Sequence, residues 1–321
     1  MVRFGIVGGG GIAKKFARDI AFVDHAVISA VAARTKEKAE EYGVFYHVKH
    51  MFSSYEEMAK SDVIDAVYIA TPHSFHFEHA MLFIQHKKHV LVEKPITVNA
   101  RQFKLLSNAA KTAGVLLMEA MWTHFLPATK FVKDLIDSNS LGKMQESYID
   151  FGYSLITNYP KERRLLSPNL GGGSILDIGV YPISFFLLIN QVPIYEMSAE
   201  ASWTETGVDA SCNIEITDEQ GAHFHIRSSI DENLPNNAHL IFEKGTIQMI
   251  DFSRCKEVYV NSVRYDIPYE GEGFVHEIRS FVEDIEHAKT EDAIMTHEAS
   301  KKSMRLMDDI REEIGLEYPF E

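Results

Sequence analysis

Cysteine and basic residues are both scarce in this sequence. Only two cysteines occur among 321 residues, and no Cys-X-X-Cys pair is present. This excludes a disulfide framework and favours a reducing compartment.

Lysine and arginine number 32 against 46 acidic residues, which gives a formal net charge of -14. A chain this acidic repels a phosphate backbone over most of its surface, so we expect no nucleic-acid partner.

Long apolar runs and targeting signals are also missing from the sequence pattern. No run approaches the ~20 apolar residues that a membrane-spanning helix needs. A strand pattern starts at once near Met1, where a signal peptide would have a charged and then an apolar region. We therefore expect a cytoplasmic protein with no membrane partner. The composition, 45% hydrophobic and 24% charged, is typical of a globular protein.

The first third of the chain alternates short apolar runs with helical patterns. The apolar runs expected as buried strands are Val2–Val7, Val27–Ala33, Ala66–Ala70, His89–Val92 and Val115–Met118. Helical spacing lies between them at Ile12–Val23, Lys36–Tyr42 (stopped by Gly43), Phe75–Lys87 and Ala100–Ala113. This alternation predicts βαβ units and a parallel sheet.

The pattern changes after about Met121, where we expect a domain boundary. Alternating runs typical of antiparallel strands follow at Ser147–Tyr153, Ala210–Thr217, Ala222–Ile230 and Thr246–Asp251. Residues 218–221 and 243–245 suit hairpin turns. Helices are expected at Phe274–His287 and Thr296–Glu313. The fold class is therefore α/β, with an N-terminal Rossmann domain over residues 1–121 and a second α/β domain over 122–321.

A glycine-rich loop joins the first strand to the first helix and fits the pattern Gly-X-Gly-X-X-Ala. In this pattern Gly8 permits a tight turn, Gly10 allows close approach of a pyrophosphate, and Ala13 lets helix and strand pack closely. Gly11 and Ile12 start the helix, whose free N–H groups favour an anion. A flexible turn is the alternative. The location at the first βα junction favours a dinucleotide site.

The end of the second strand discriminates between the two nicotinamide cofactors. NAD enzymes usually place an acidic residue there to bind the ribose 2′-hydroxyl. This chain has Ala33-Arg34-Thr35 instead, followed by Lys38. Arg34 is suited to pair with a 2′-phosphate, and Thr35 and Lys38 add donors. NADP(H) is therefore favoured, and NAD(H) is the alternative cofactor. These basic residues could instead form only the solvated start of a helix.

Two further motifs carry groups suited to chemistry. Glu93-Lys94-Pro95 follows a parallel strand, at the sheet edge where α/β proteins bind ligands; a surface turn is the alternative. In the run 171–181, Asp177 and Tyr181 lie four residues apart on one face of an expected helix. They could exchange a proton, and Pro182 predicts a kink nearby. The alternative is a glycine-rich turn that enters an apolar core helix.

Taken together, these motifs resemble the glucose–fructose oxidoreductase/inositol dehydrogenase/MocA (GFO/IDH/MocA) family over essentially the whole chain. The matching segments are the glycine loop, Ala70-Thr71-Pro72 with His76, Glu93-Lys94-Pro95, and Gly171-Gly172-Gly173 through Asp177. Residues 118–123 and 177–182 look most like the dimeric dihydrodiol dehydrogenase branch, which is NADP-dependent.

The resemblance implies a large open, mostly antiparallel sheet in the second domain, often used for oligomerisation, and hence a homodimer or higher homo-oligomer. It also implies roles for individual residues. Thr71, Pro72, His76, Glu93 and Lys94 would contact the cofactor, and Lys94, Asp177 and Tyr181 would form the active site. Trp122 would form an apolar wall beneath the substrate. Many inositol-dehydrogenase-like members have histidine where this chain has Tyr181, so the expected acid/base group is a phenol.

The function expected from these motifs is NADP-dependent hydride transfer with a sugar, polyol or vicinal diol. Two alternatives stay open: an enzyme that uses transient oxidation for elimination or glycoside cleavage, and a non-catalytic NADP-binding redox sensor.

Histidines 73, 76 and 79 fit a zinc site poorly, so no metal is expected. The basic residues Lys161, Arg163 and Arg164 would favour an anionic substrate, or would only form a solvated loop.

Overall fold

The computed structural model describes all 321 residues. Its strands are β1 (Val2–Val7), β2 (Ala26–Ala32), β3 (His50–Phe52), β4 (Ala66–Ile69), β5 (His89–Glu93), β6 (Leu117–Ala120), β7 (Met144–Gly152), β8 (Ile194–Trp203), β9 (Asp209–Asp218), β10 (His223–Ser229), β11 (Ala238–Phe242), β12 (Gly245–Ile250), β13 (Glu257–Val260) and β14 (Val263–Asp266).

The α-helices are α1 (Gly11–Asp19), α2 (Lys36–Tyr46), α3 (Tyr55–Lys60), α4 (His76–Gln85), α5 (Ala100–Ala113), α6 (Pro127–Asp137), α7 (Val180–Ile189), α8 (Val275–Glu286) and α9 (His297–Ile314). Shorter helical turns lie at Ile20–Phe22, His73–Phe75, Trp122–Phe125, Arg164–Leu166, Pro168–Leu170 and Phe252–Arg254, and a π-helical turn lies at Ile175–Gly179.

The first sheet is parallel throughout, with the strand order β3-β2-β1-β4-β5-β6. This is the order of a dinucleotide-binding Rossmann fold. Strands β4 and β6 are buried along their whole length, as expected of a sheet covered by helices on both faces. The order reverses next to β1, so the loops that follow β1 and β4 lie side by side at the edge where ligands bind.

The second sheet has eight strands in the order β14-β13-β12-β11-β7-β10-β9-β8. All neighbouring pairs are antiparallel except β7 and β10, which run parallel. Buried residues alternate with more accessible ones along β9 and β11, so one face of these strands packs on the core. The predicted Rossmann sheet and mostly antiparallel second sheet are both confirmed.

The chain forms two compact units whose limits differ from the predicted domains. The first unit comprises Met1–Trp122 and Glu270–Lys301, and the second comprises Thr123–Tyr269 and Lys302–Glu321. The segment Glu270–Lys301 was expected in the second domain. It packs with the first because contacts distant in sequence hold it there: the Asp19 carboxylate accepts the backbone N–H of Phe274 at 2.8 Å, just before α8.

One helical stretch corrects the expectation about apolar runs. Pro168–Ile189 is long and apolar enough to cross a membrane by length and composition alone. However, 89% of its apolar window is buried inside the protein, as in the core helix of a soluble protein, so the stretch is weak evidence for a membrane span.

Another correction concerns α2, which continues through Gly43 to Tyr46. A Cβ at Gly43 would lie 2.2 Å from the Met51 sulfur, so this glycine is needed for packing and does not end the helix.

Candidate cofactor and active site

The loop after β1 leaves room for a ligand at two of its glycines. A Cβ added at Gly10 or Gly11 would meet no atom within 4 Å, so both positions face open space. Gly10 precedes α1, and no side chain caps that helix start. The free N–H groups there are suited to hold a pyrophosphate. The residues present therefore fit a dinucleotide.

The other glycines of the loop are required by contacts within the protein. Gly8 has φ +98°, and a Cβ there would lie 2.4 Å from the Ala70 carbonyl oxygen at the end of β4. A Cβ at Gly9 would overlap the ring of Tyr42 on α2. The fully buried Ala13 lets α1 pack closely. The chain thus brings the predicted glycine loop against β4 and α2.

The predicted 2′-phosphate residues lie together on the surface after β2. Arg34, Thr35 and Lys38 are all exposed. Thr35 caps α2 by accepting the N–H of Lys38 at 3.3 Å. The ammonium of Lys38 is 2.6 Å from Glu41, which raises the lysine pKa. Arg34 also lines a cavity of about 600 Å³ next to Tyr55 on α3 and several residues of α4. The structure therefore groups these three residues, with Arg34 beside open space.

His76 joins two loops at the ligand-binding edge of the first sheet. The ring is fully buried, and its nitrogens lie 2.8 Å from the carbonyl oxygens of Thr71 and Pro95. Burial lowers the pKa of His76 to about 4, although its two carbonyl partners act in the opposite direction. The Thr71 hydroxyl in turn lies 3.0 Å from His79. These contacts give His76 a role in holding the loops, while direct contact with the cofactor stays a prediction, as it does for Thr71 and its neighbour Pro72.

Lys94 is held by the turn that follows β5. The bond between Lys94 and Pro95 is cis, and Lys94 is buried. The next residue, Ile96, donates its N–H to the Glu119 carboxylate at 3.1 Å, and Glu119 also accepts the Ser300 hydroxyl at 2.6 Å. Burial raises the pKa of Glu119, against the lowering effect of these donors and of the Lys94 charge. Glu119 therefore fixes the turn that carries Lys94.

A second buried carboxyl group lies near Glu93, beyond any sequence expectation. Glu93 is buried at the end of β5 and accepts the Tyr68 hydroxyl. Glu277 on α8 is fully buried, and neither of its carboxyl oxygens has a hydrogen-bond partner. Burial raises the pKa of Glu277 well above its usual value, and the charges of Glu93 and Asp19 raise it further. Burial thus favours the protonated form of Glu277.

Trp122 is buried and stacks on Phe274, with ring centroids 5.3 Å apart and an interplanar angle of 12°. One face of the indole is thus covered by the residue that precedes α8. This arrangement fixes the orientation of the ring, as the predicted role of an apolar wall would require.

In the second unit, Asp177 and Tyr181 lie about one turn apart on a single irregular helix. Asp177 is in the π-helical turn, and Tyr181 is the second residue of α7. The expected kink near Pro182 takes the form of this π-turn, which lies just before the proline; such turns are frequent at functional sites. Both side chains are buried. The Tyr181 ring packs edge-on against Phe151 at 5.2 Å.

The sequence did not predict the residues that hold this helix in place. The Arg164 guanidinium donates to the Asp177 carboxylate at 2.7 Å. At the helix start, Asp209 accepts the Ile175 N–H at 2.7 Å, and the Ser174 hydroxyl donates to Ser228 at 2.7 Å. These partners are distant in sequence, so no local pattern identifies them.

Comparison with known proteins agrees with this arrangement. Residues 2–121 match the model of the GFO/IDH/MocA oxidoreductase family with an NAD-binding Rossmann fold, and residues 129–248 match the GFO/IDH/MocA C-terminal domain. The chain belongs to the GFO/IDH/MocA oxidoreductase family. It is therefore an NAD(P)-dependent oxidoreductase that acts on CH–OH groups, and the predicted family is confirmed.

Relatives and solved structures cover nearly the whole chain. It is 30% identical to trans-1,2-dihydrobenzene-1,2-diol dehydrogenase of Mus musculus, over 99% of this chain and 98% of the relative. It is 32% identical to the scyllo-inositol 2-dehydrogenase (NADP(+)) IolU of Bacillus subtilis, over 99% of both chains. The structure of the 3-ketoreductase KijD10 from Actinomadura kijaniata, in complex with NADP and TDP-benzene, has the same fold, with a TM-score of 0.88 and 24% identity over 98% of both chains.

Proposed function

We propose that this protein is an NADP(H)-dependent dehydrogenase or reductase acting on a sugar, a polyol or a vicinal diol and on the corresponding carbonyl compound. The observation that carries the proposal is the buried pair of Asp177 and Tyr181 on one helix, in the order and spacing of the family's motif. The relatives named for a dihydrodiol and for scyllo-inositol support the substrate class.

In this proposal three side chains act on the reacting hydroxyl group. The phenolate form of Tyr181 accepts the hydroxyl proton during oxidation, and the resulting phenol returns it during reduction. Lys94 donates a hydrogen bond to the same oxygen and stabilises its developing negative charge. Asp177 accepts a hydrogen bond from a neighbouring hydroxyl and so orients the substrate. The bound nicotinamide supplies the hydride acceptor or donor.

Replacing Tyr181 with phenylalanine tests the acid/base role. The Tyr181→Phe variant should lose about 100-fold or more of kcat, as is usual when a general acid/base is removed, and should keep its affinity for the cofactor. The measurement is NADP(H)-coupled turnover on a panel of sugars, polyols and diols. Tyr148→Phe, which removes an exposed phenol bonded to Glu146, is the matched control. Normal turnover by Tyr181→Phe would contradict the assignment, and no turnover by wild type despite tight NADP binding would favour a redox sensor.

The proposed preference for NADP(H) depends on Arg34. Arg34→Ala should weaken NADP(H) binding by about 10- to 100-fold, because a charge-assisted bond to the 2′-phosphate is lost. NAD(H) affinity should change little, since that cofactor lacks the phosphate. Fluorescence titration with both cofactors measures the difference, with the exposed Lys36→Ala as a control. Tighter NAD binding by wild type, or equal weakening for both cofactors, would refute this preference.

We also propose that the protein is a cytoplasmic homodimer or higher homo-oligomer that associates through its second sheet. Large apolar side chains are exposed on the outer strands of that sheet: Tyr195, Trp203, Val263 and Tyr265. Light scattering after size-exclusion chromatography measures the assembly, and a monomer at micromolar concentration would contradict it.

A further inference from the structure

The ion pair between Arg164 and Asp177 has a consequence for substrate choice. Arg164 lies in a short helical turn, and its Nη1 donates to Oδ1 of Asp177 at 2.7 Å. The side chains are 35% and 10% exposed. Arg164 is therefore paired with a buried carboxylate, whereas the sequence suggested either a preference for an anionic substrate or a solvated loop.

The glycine run before the helix brings Arg164 to this position. Gly173 donates its N–H to the Leu165 carbonyl oxygen at 2.9 Å. At Gly172 a Cβ would lie only 2.7 Å from the Arg164 carbonyl oxygen and 2.6 Å from that of Leu165. Only glycine allows the backbone of this turn to approach so closely. The turn that carries Arg164 is thus fixed to the segment that leads into Asp177.

The other two basic residues of this loop are arranged differently. Lys161 is exposed and forms an ion pair with Glu205. Arg163 is exposed and directly precedes the helical turn. Arg164 is the member of this set whose charge is directed at a residue of the proposed active site. Arg163 therefore offers a matched control of the same residue type, one position away.

We propose that Arg164 is a positioning residue that keeps Asp177 ionised and fixed as a hydrogen-bond acceptor, so that the site selects uncharged polyhydroxyl substrates over anionic ones. This inference depends on the proposed role of Asp177. A guanidinium keeps its charge at any working pH and binds a carboxylate in a defined orientation. Because its charge is compensated by Asp177, the pair presents no net positive charge that would attract a phosphate or carboxylate group.

Other titratable groups near Asp177 leave this assignment unchanged. Tyr318, in the C-terminal segment, is close enough for its charge to interact with that of Asp177. Burial raises the pKa of Tyr318 well above its usual value, so its phenol stays neutral. Tyr181 lies one turn further along the same helix. Arg164 is the cation paired with Asp177 in the structure.

The first experiment compares Arg164→Ala, Arg164→Lys and Arg163→Ala, with scyllo-inositol and D-glucose as uncharged probes. Arg164→Ala should lower kcat/KM by about 10- to 100-fold and move the acid limb of its pH profile to higher pH, because Asp177 is protonated more easily without the cation. Arg164→Lys should recover part of the activity, and guanidinium ion below denaturing concentrations should partly rescue Arg164→Ala. Arg163→Ala should behave as wild type.

The second experiment titrates D-glucose 6-phosphate into the NADP-loaded protein and measures its Kd, which needs no turnover. Asp177→Asn should lower this Kd by about tenfold, because the Arg164 charge is no longer compensated, and the double variant with Arg164→Ala should reverse this gain. Cofactor titration checks that each variant is folded.

The results separate two failures. If Asp177→Ala is inactive but Arg164→Ala keeps the wild-type kcat/KM and pH profile, the role of Arg164 is refuted and the proposed function stands. An Arg164→Ala variant with reduced activity, an unshifted pH profile and no rescue by Arg164→Lys or by guanidinium also refutes it. Full activity of Asp177→Ala and Tyr181→Phe would refute the proposed function itself.

Discussion

Replacing Asp209 with asparagine should make the stability of the protein less dependent on pH. Asp209 is fully buried at the start of β9, and its Oδ2 accepts the Ile175 N–H at 2.7 Å. Its Oδ1 has no hydrogen-bond partner. Burial raises the pKa of this carboxyl from 3.8 to about 7, although the backbone N–H groups and the charge of Arg311 act in the opposite direction.

The sign of the effect follows from proton binding. In the unfolded chain Asp209 loses its proton near pH ~3.9, whereas in the folded protein it keeps the proton until about pH 7. Between these values the native state binds more protons, so the free energy of unfolding falls as pH rises. The contribution is fully present below the unfolded pKa and is lost as pH rises through the folded one. The difference corresponds to about 4 kcal/mol. Asparagine cannot ionise, yet its amide oxygen can still accept the Ile175 N–H.

Urea unfolding at several pH values, from about 4 to about 8, measures this effect. The free energy of unfolding of Asp209→Asn should rise relative to wild type as pH increases, by up to about 4 kcal/mol. The exposed Asp24→Asn is the control, and it should leave the slope unchanged. If Asp209→Asn has the same pH slope as wild type, Asp209 does not hold its proton in the folded state, and the reasoning is wrong.

Two further substitutions test the interior of the first unit. Gly8→Ala should lower NADP(H) affinity at least about tenfold, because the new methyl would lie 2.4 Å from the Ala70 carbonyl oxygen. The control is Gly114→Ala, at a glycine that also has positive φ but faces open space; it should leave the Kd for NADP(H) unchanged. Glu277→Gln should raise Tm more at pH 8 than at pH 5, because burial raises the pKa of this carboxyl well above its usual value and its ionisation destabilises the fold as pH rises. If the Tm difference between Glu277→Gln and wild type were no larger at pH 8 than at pH 5, this reasoning would be wrong.

The sequence was most informative where local pattern and burial agree. Strand β1 and helix α5 have the predicted limits, and strands β2, β4 and β5 differ by one residue at one or both ends. These strands are mostly apolar, and α5 begins after the capping residue Asn99 and ends before Gly114. Periodicity and capping residues therefore define such elements without knowledge of their partners.

Elements stabilised by distant partners were not predicted. Strands β8, β11, β13 and β14 went unrecognised because their residues are partly exposed, or because the strand is short and polar. Their pairing is decided across the sheet. Strand β11, for example, pairs with the distant strand β7, where Ala238 lies opposite Ile149. Helix α6 was also not predicted, although proline at its first position is a common helix start.

The candidate site shows the same division. Motifs identify Lys94, Asp177 and Tyr181 as candidates because each of these residues lies in a short, recognisable sequence motif. The residues that hold them act across the fold: Glu119 binds the turn after Lys94, and Arg164 binds Asp177. A motif thus indicates which groups could react, whereas their charge state and orientation depend on contacts that only the folded chain reveals.

The two glycine-rich runs demonstrate how structure separates similar sequences. In the first run, Gly10 and Gly11 face open space, as a site for a phosphate group requires. In the second, the space beside Gly172 is filled by backbone carbonyl groups, and a Cβ at Gly173 would lie 2.1 Å from Asp209 Oδ1. The first run therefore leaves space for a ligand. In the second run, atoms of the protein already fill the space beside the glycines. Composition alone does not distinguish these uses. The atoms that surround each glycine do, and they assign the second run to holding the helix that carries Asp177.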